Sequence, residues 1–304
     1  MSATPVLGRF PIGRPTGRPF ATAGLLAIAV TVLAARADDL PDKSGFHLFN
    51  PVPRALMREM STDRPDQTES PYTVDAGHFQ VEADLVALHR HDVGNLGAAS
   101  YRSEGAVFGA FNLKAGLLPS VDLQCLFTPW QVERVESRGA GVRTTDRGVG
   151  DLETRLKWNL WGNDGGKSAL ALMPYVKWPT APGNLGNGEV EGGLIVPASV
   201  ELPSGWGLGL QTGIDVLKEG ANTRHEAAWM NSVTLGHDLV GNLAAYVEFF
   251  SVTPLERSDD LEAFLDLGFT YGLTPDVQLD AGCNFGLTDT VPEAAPFVGL
   301  SIRF

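Results

Sequence analysis

Strict alternation of apolar and polar residues from His78 to Phe304, about twelve such stretches, and connections that run alternately long and short predict an all-β chain. The expected architecture is a transmembrane antiparallel up-and-down β-barrel of about twelve strands with an irregular N-terminal segment. Successive strand side chains point to opposite faces, so a period of two marks a sheet with one apolar and one polar face. Roughly ten residues is what a tilted strand needs to cross hydrocarbon, whereas soluble strands commonly stop at about five or six.

Composition bounds the alternatives. The chain has 304 residues, a formal charge of −13 and 35 glycines, and no run of eighteen apolar residues that would suggest a helical membrane protein. Residues 1–37 read as a signal peptide: Arg9, Arg14 and Arg18 form a basic start, Ala21 to Ala34 an apolar stretch, and Ala35-Arg36-Ala37 a small-x-small cleavage site. Removing its four arginines takes the charge from −13 to −17, which argues against a nucleic-acid partner. The two cysteines, Cys125 and Cys283, each share a face with apolar neighbours and read as small apolar side chains, not a disulfide or metal pair.

Residues 38–77 are polar, broken by Pro41, Pro51, Pro53, Pro65 and Pro71, and lack any sustained period; they read as a periplasmic N-terminal segment with one short helical turn near Arg54. The barrel is expected over 78–304. Its strands fall at about 78–89, 105–117, 121–133, 150–161, 168–178, 190–202, 206–218, 226–238, 242–253, 260–272, 276–287 and 295–304. Asp151 to Leu160 is the clearest of them, with Asp151, Glu153, Arg155 and Lys157 on one face and Leu152, Leu156, Trp158 and Leu160 on the other. Connections at 90–104, 134–149, 179–189, 219–225, 254–259 and 288–294 are long; those between them, such as Leu118-Pro119-Ser120, are short. Short turns inside and long loops outside are the asymmetry of bacterial outer-membrane barrels. On this topology Trp158, Trp161, Trp206, Tyr271 and Phe304 fall at the periplasmic ends, and Trp130, Trp178 and Trp229 toward the outer ends, giving two aromatic girdles.

The last strand carries Val298, Leu300, Ile302 and Phe304 on one face and resembles the C-terminal signal read by the bacterial barrel-assembly machinery. A second resemblance lies in S-T-D-R-P-D-Q-T-E-S-P-Y-T-V-D-A-G-H-F-Q-V-E, from Ser61 to Glu82. Thr62, Asp63, Arg64, Pro65, Asp66, Thr68, Glu69, Ser70, Pro71, Val74, Gly77, Gln80 and Glu82 match the opening signature of the outer-membrane transporter family labelled "putative MetA pathway of phenol degradation". Gly148 to Gly162 is similar to a later strand of that family. The resemblance implies a barrel in the bacterial outer membrane that moves small solutes, with aromatic or hydrophobic compounds suggested by the family label, and it supplies no ligand residues.

The face opposite the apolar one is expected to line the lumen. It carries Glu82, Asp84, Asp151, Glu153, Glu191, Glu201, Asp215, Glu248, Glu262, Asp266 and Asp280 against Lys114, Arg155, Lys157, Lys177 and Arg303, an excess of six acids. Asp63, Arg64, Asp66 and Glu69 crowd charge just before the first strand. They read either as a plug or gate entering the lumen or as a leader that Pro65 and Pro71 bend into the barrel. These carboxylates lack the histidine or Gly-rich loop of a metal site, so no metal or cofactor is expected. Gly162 to Ser168 misses the phosphate-loop spacing by one residue and reads as a turn; His89 and His91 sit at the edge of the first long connection. With no G-x-S-x-G elbow or H-E-x-x-H helix, the reading is a channel and not an enzyme. The alternative is a structural or surface-interaction barrel with a filled lumen. The expected partners are the lipid bilayer, the assembly machinery and a small-molecule solute.

Overall fold

The computed structural model describes residues 42–96, 99–137, 141–218, 224–256 and 261–304; the expected signal peptide lies outside the described residues. One antiparallel sheet contains every strand. In chain order these are β1 (Phe79–Leu96), β2 (Ala99–Phe108), β3 (Phe111–Leu118), β4 (Val121–Phe127), β5 (Trp130–Ser137), β6 (Val142–Gly148), β7 (Leu152–Trp161) and β8 (Ser168–Trp178). They continue as β9 (Glu191–Glu201), β10 (Trp206–Lys218), β11 (His225–Val240), β12 (Leu243–Pro254), β13 (Glu262–Thr274), β14 (Val277–Gly286) and β15 (Ala294–Arg303).

β15 pairs back onto β1, from Gln80 opposite Arg303 to Arg90 opposite Ala294, and closes the ring. Three staves are each built of two strands, so the ring is a closed twelve-stranded antiparallel barrel. The breaks have local causes. Between β2 and β3, Gly109 takes φ +66°, a left-handed conformation that costs glycine little. Between β4 and β5 stands Pro129, which has no N–H to donate to the ladder.

The structure corrects two expected connections. Residues 90–104 and 134–149 are mostly strand: β1 runs on to Leu96 opposite β2, and β5 to Ser137 opposite β6, with β2 and β5 paired between them. Alternation fades there while pairing continues, because beyond an apolar belt both faces of a sheet meet water and nothing selects for period two.

Polarity is inverted relative to a soluble fold. The side chains most fully withdrawn from solvent include Lys114, Lys157, Gln80, Gln124, Glu82 and Glu248, whereas Leu123, Leu156, Leu194, Leu265 and Val298 are exposed on the outer wall. Only lipid makes that arrangement favourable, since the outer leucines would otherwise face water. Trp158, Trp206, Tyr271 and Phe304 are exposed toward the end with short turns, and Trp130, Trp178 and Trp229 toward the other. Cys125 and Cys283 are free thiols on the outward parity of β4 and β14.

Candidate functional site

The lumen is occupied by the chain's own residues 61–75, which enter and leave at the end where β1 starts and β15 stops. The path begins at that rim. Lys43 Nζ donates to Asp75 at 3.2 Å and to Asp164 at 2.6 Å, and Arg58 donates to Asp164 at 3.3 Å and to the Pro119 carbonyl at 3.0 Å. Asn163 accepts from the Thr73 backbone N–H at 3.0 Å, so the 162–168 turn, which resembles no working phosphate loop, fastens the segment to the rim. Arg303 reaches Asp276 at 2.8 Å and the Arg58 carbonyl at 2.9 Å. Desolvation pushes the Asp276 carboxyl up, but Arg303, with Arg54 beside it, outweighs that push and holds it below the usual carboxylate range. Gly116 makes the close approach possible, because a Cβ there would lie 2.1 Å from the Asp75 carbonyl oxygen.

Deeper in the ring, Asp63 is wholly buried between Lys114 of β3 and Lys157 of β7, paired with both. Its backbone N–H donates to Glu82 at 2.9 Å, and its carboxylate accepts from the Ser70 N–H at 2.9 Å, which folds the segment back on itself. Arg64 donates to Asp84 at 2.6 Å and to Asp280 at 2.7 Å, with its guanidinium 5.4 Å from the centre of the Phe297 ring. Three directions of the planar group are thus satisfied, as a buried guanidinium requires. The seat depends on Gly299: a Cβ there would stand 2.0 Å from the Arg64 guanidinium.

The tip of the segment crosses to the far wall. Gln67 and Thr68 each donate a backbone N–H to Glu248, both at 2.7 Å, and the Gln67 amide donates to Asp266 at 2.8 Å. The Thr68 hydroxyl lies 2.6 Å from that of Ser232. Glu69 accepts from Arg155, which also holds Glu153, and its N–H donates to Gln211 at 2.7 Å. Asp66 bonds Thr234 of β11. Asp151 stands beyond the tip, where its carboxylate accepts from Lys177 at 3.0 Å.

Of the residues singled out from sequence, Asp63, Arg64, Asp66 and Glu69 therefore meet Glu82, Asp84, Arg155, Lys157, Asp266 and Asp280 inside the ring, while Asp151 and Glu153 lie above them. Val298, Leu300 and Ile302 face outward on β15, and Phe304 stacks on Phe79 with ring centres 6.1 Å apart. Glu201 shares the inward parity but is exposed at the rim. His89 lies 2.9 Å from Glu133, and His91 bonds the Asp289 carbonyl at 3.0 Å, away from the segment. Among the described residues no three His, Cys, Asp or Glu side chains are grouped to hold a metal ion. The sequence reading missed Lys43, Arg58, Asp75, Asn163 and Asp164 at the rim and Asp122 and Gln211 on the wall. Inward parity flags the last two, but nothing local names their partners, which lie far away in the chain.

The family model described as "Putative MetA-pathway of phenol degradation" matches residues 62–304. Among solved structures, the chain is similar to an outer membrane channel from Pseudomonas putida F1, at 14% identity and a TM-score of 0.56, over 80% of this chain and 100% of that one. It is also similar to the translocator domain of the autotransporter NalP from Neisseria meningitidis, at 11% identity and a TM-score of 0.50, over 74% of this chain and 88% of that one. Both are likenesses of fold. No curated protein matches the chain.

Proposed function

The chain belongs to the family described as "Putative MetA-pathway of phenol degradation", and on that premise we propose an outer-membrane channel for small solutes that is closed by its own residues 61–75. The carrying observation is the chemistry of the closure. The segment is held by ion pairs and hydrogen bonds, from Asp63, Arg64, Gln67, Thr68 and Glu69, to a polar wall. Each such bond has a counterpart in water, so withdrawal exchanges partners without uncovering an apolar core. Both ends of the segment lie at one rim, so it can retreat as a loop toward the periplasm while every strand of the ring stays paired.

The family name links this channel to phenol degradation, and aromatic or other hydrophobic compounds are the class of solute we propose. Function is passage, with no catalytic residue. The bacterial outer membrane is the proposed location, with lipid and the barrel-assembly machinery as partners.

A disulfide tests the closure. The Thr68 and Ser232 hydroxyls are 2.6 Å apart, so cysteines at both positions, with Cys125 and Cys283 replaced by alanine, bring two sulfurs within reach. In planar bilayers the oxidised protein is expected to be silent and the reduced protein to conduct. The density of buried ion pairs around Asp63 and Arg64 favours a second reading, a structural or surface-interaction barrel whose lumen stays filled. Silence in both redox states would select it.

A further inference from the structure

Above the tip of the segment the lumen holds a cavity of about 420 Å³ with two unlike walls. On β11 to β13 an inward-facing apolar cluster is formed by Ala228, Phe250, Val252 and Phe264, joined by Val291, with Leu217 and Met230 packed on it. Such a cluster is out of place in an inverted fold, where the interior is polar and the apolar groups face lipid. The tip beneath it presents the polar residues Gln67, Thr68 and Glu69.

The facing wall is charged, and its bases are already engaged. Arg155 is held by Glu69 and Glu153, and Lys177 by Asp151 and Glu191, both at 3.0 Å, and by Asn187 at 2.8 Å. Asp215 differs. It makes no ion pair among the described residues and accepts one hydrogen bond, from the Tyr175 hydroxyl at 2.6 Å. A carboxylate offers about four lone-pair sites, so one donor leaves accepting capacity on a group that lines the cavity. It stands directly across from Ala228, at the border of the apolar cluster.

We propose that this chamber is a binding vestibule for small amphiphiles that pair an apolar body with a hydrogen-bond-donating head, a cationic head above a neutral one. The body lies on Met230, Phe250, Val252 and Phe264; the head donates to Asp215. Among the described residues that line the cavity an anionic head finds no unengaged base, since Lys218 too donates to the Asn187 carbonyl at 2.8 Å, and it meets a wall rich in carboxylates, so it is rejected. This specifies the solute of the channel proposed above and rests on that reading only for the ligand being in transit.

One ring with three heads tests it: benzylamine, benzyl alcohol and benzoate, titrated by calorimetry into the full-length barrel in detergent at neutral pH. The expected order is benzylamine, then benzyl alcohol, then benzoate, with about tenfold between the first and the last, as a charge-assisted hydrogen bond supplies. Asp215→Asn is expected to weaken benzylamine about tenfold and leave benzyl alcohol within about twofold. Tyr175→Phe, which removes the competing donor, is expected to tighten benzylamine. Any other order, or benzylamine unaffected by either variant, overturns the proposal. Liposome swelling is scored separately: the binding order without passage defeats the channel and leaves the vestibule standing, and passage without the order does the reverse.

Discussion

Asp63 is the residue on which the closure turns, because it is the shared counter-ion of Lys114 and Lys157 and none of the three is more than slightly exposed. Removing one member of a buried ionic group costs about 3–5 kcal/mol, since the remaining charges keep their desolvation and lose their attraction. Asp63→Ala is therefore expected to expel residues 61–75 while the ring, whose pairing does not involve Asp63, still assembles. Cleavage within the segment by an added protease should rise sharply in the variant, with the heat-modifiable band of the folded barrel retained. Unchanged protection would place the hold elsewhere. Gly299→Ala should act in the same direction at the Arg64 seat, where the added Cβ meets the guanidinium at 2.0 Å. The charges of Asp63 and Arg64 were legible in the sequence, and Lys114 and Lys157 were legible as inward-facing by parity. Their meeting was not, because Asp63 and Lys157 are 94 residues apart and an irregular segment carries no period to fix its path.

Among the elements, the seam between β1 and β15 is where the ring depends on its ends. Phe79 and Phe304 exchange backbone hydrogen bonds, both 2.9 Å, and stack their rings on the outer face. Deleting Phe304 removes both bonds and the stack at the last rung of the closing pair. The expected result is a marked fall in the fraction of protein that migrates as folded barrel before heating. A second effect, on recognition by the assembly machinery, would show as a larger loss in cells than in refolding from urea; equal loss would leave the seam alone responsible. Strand positions were readable wherever lipid on one side and water on the other enforce alternation, as in β7, where Leu156 faces out and Lys157 faces in. Reading failed past His89 in β1 and past Glu133 in β5, where the extended β1 to β2 and β5 to β6 hairpins lack that contrast. It also failed at Gly109 and Pro129, where one stave becomes two strands without interrupting the pattern.

At the scale of the whole molecule, the inside-out polarity makes the wall an acidic tube once the segment has left. The expected excess of acids survives the structure: Glu201 belongs to the exposed rim, while Asp122, wholly buried beside Lys157 in the β4 to β7 pairing, and Glu226, buried on the inward parity of β11, join the wall. Asp122 escaped the sequence reading because it lies one residue into its strand, next to a turn, where a charge looks like a rim group. The retreating segment takes Asp63, Asp66, Glu69 and Asp75 with it and one base, Arg64, so the lumen loses some negative charge while the wall keeps its own surplus. Low-dielectric walls focus that field on the solution inside and concentrate cations. The effect depends on salt, since the screening length falls from about 10 Å at 0.1 M to about 3 Å at 1 M, less than the half-width of a barrel lumen. The reduced form of the Thr68/Ser232 cysteine variant, measured in a salt gradient, is therefore expected to show a cation-selective reversal potential that shrinks as both solutions are raised toward 1 M. Anion selectivity at low salt would mean that Lys114, Lys157 and Arg155, freed from Asp63 and Glu69, govern the field, and that the surplus of wall acids is neutralised where it stands.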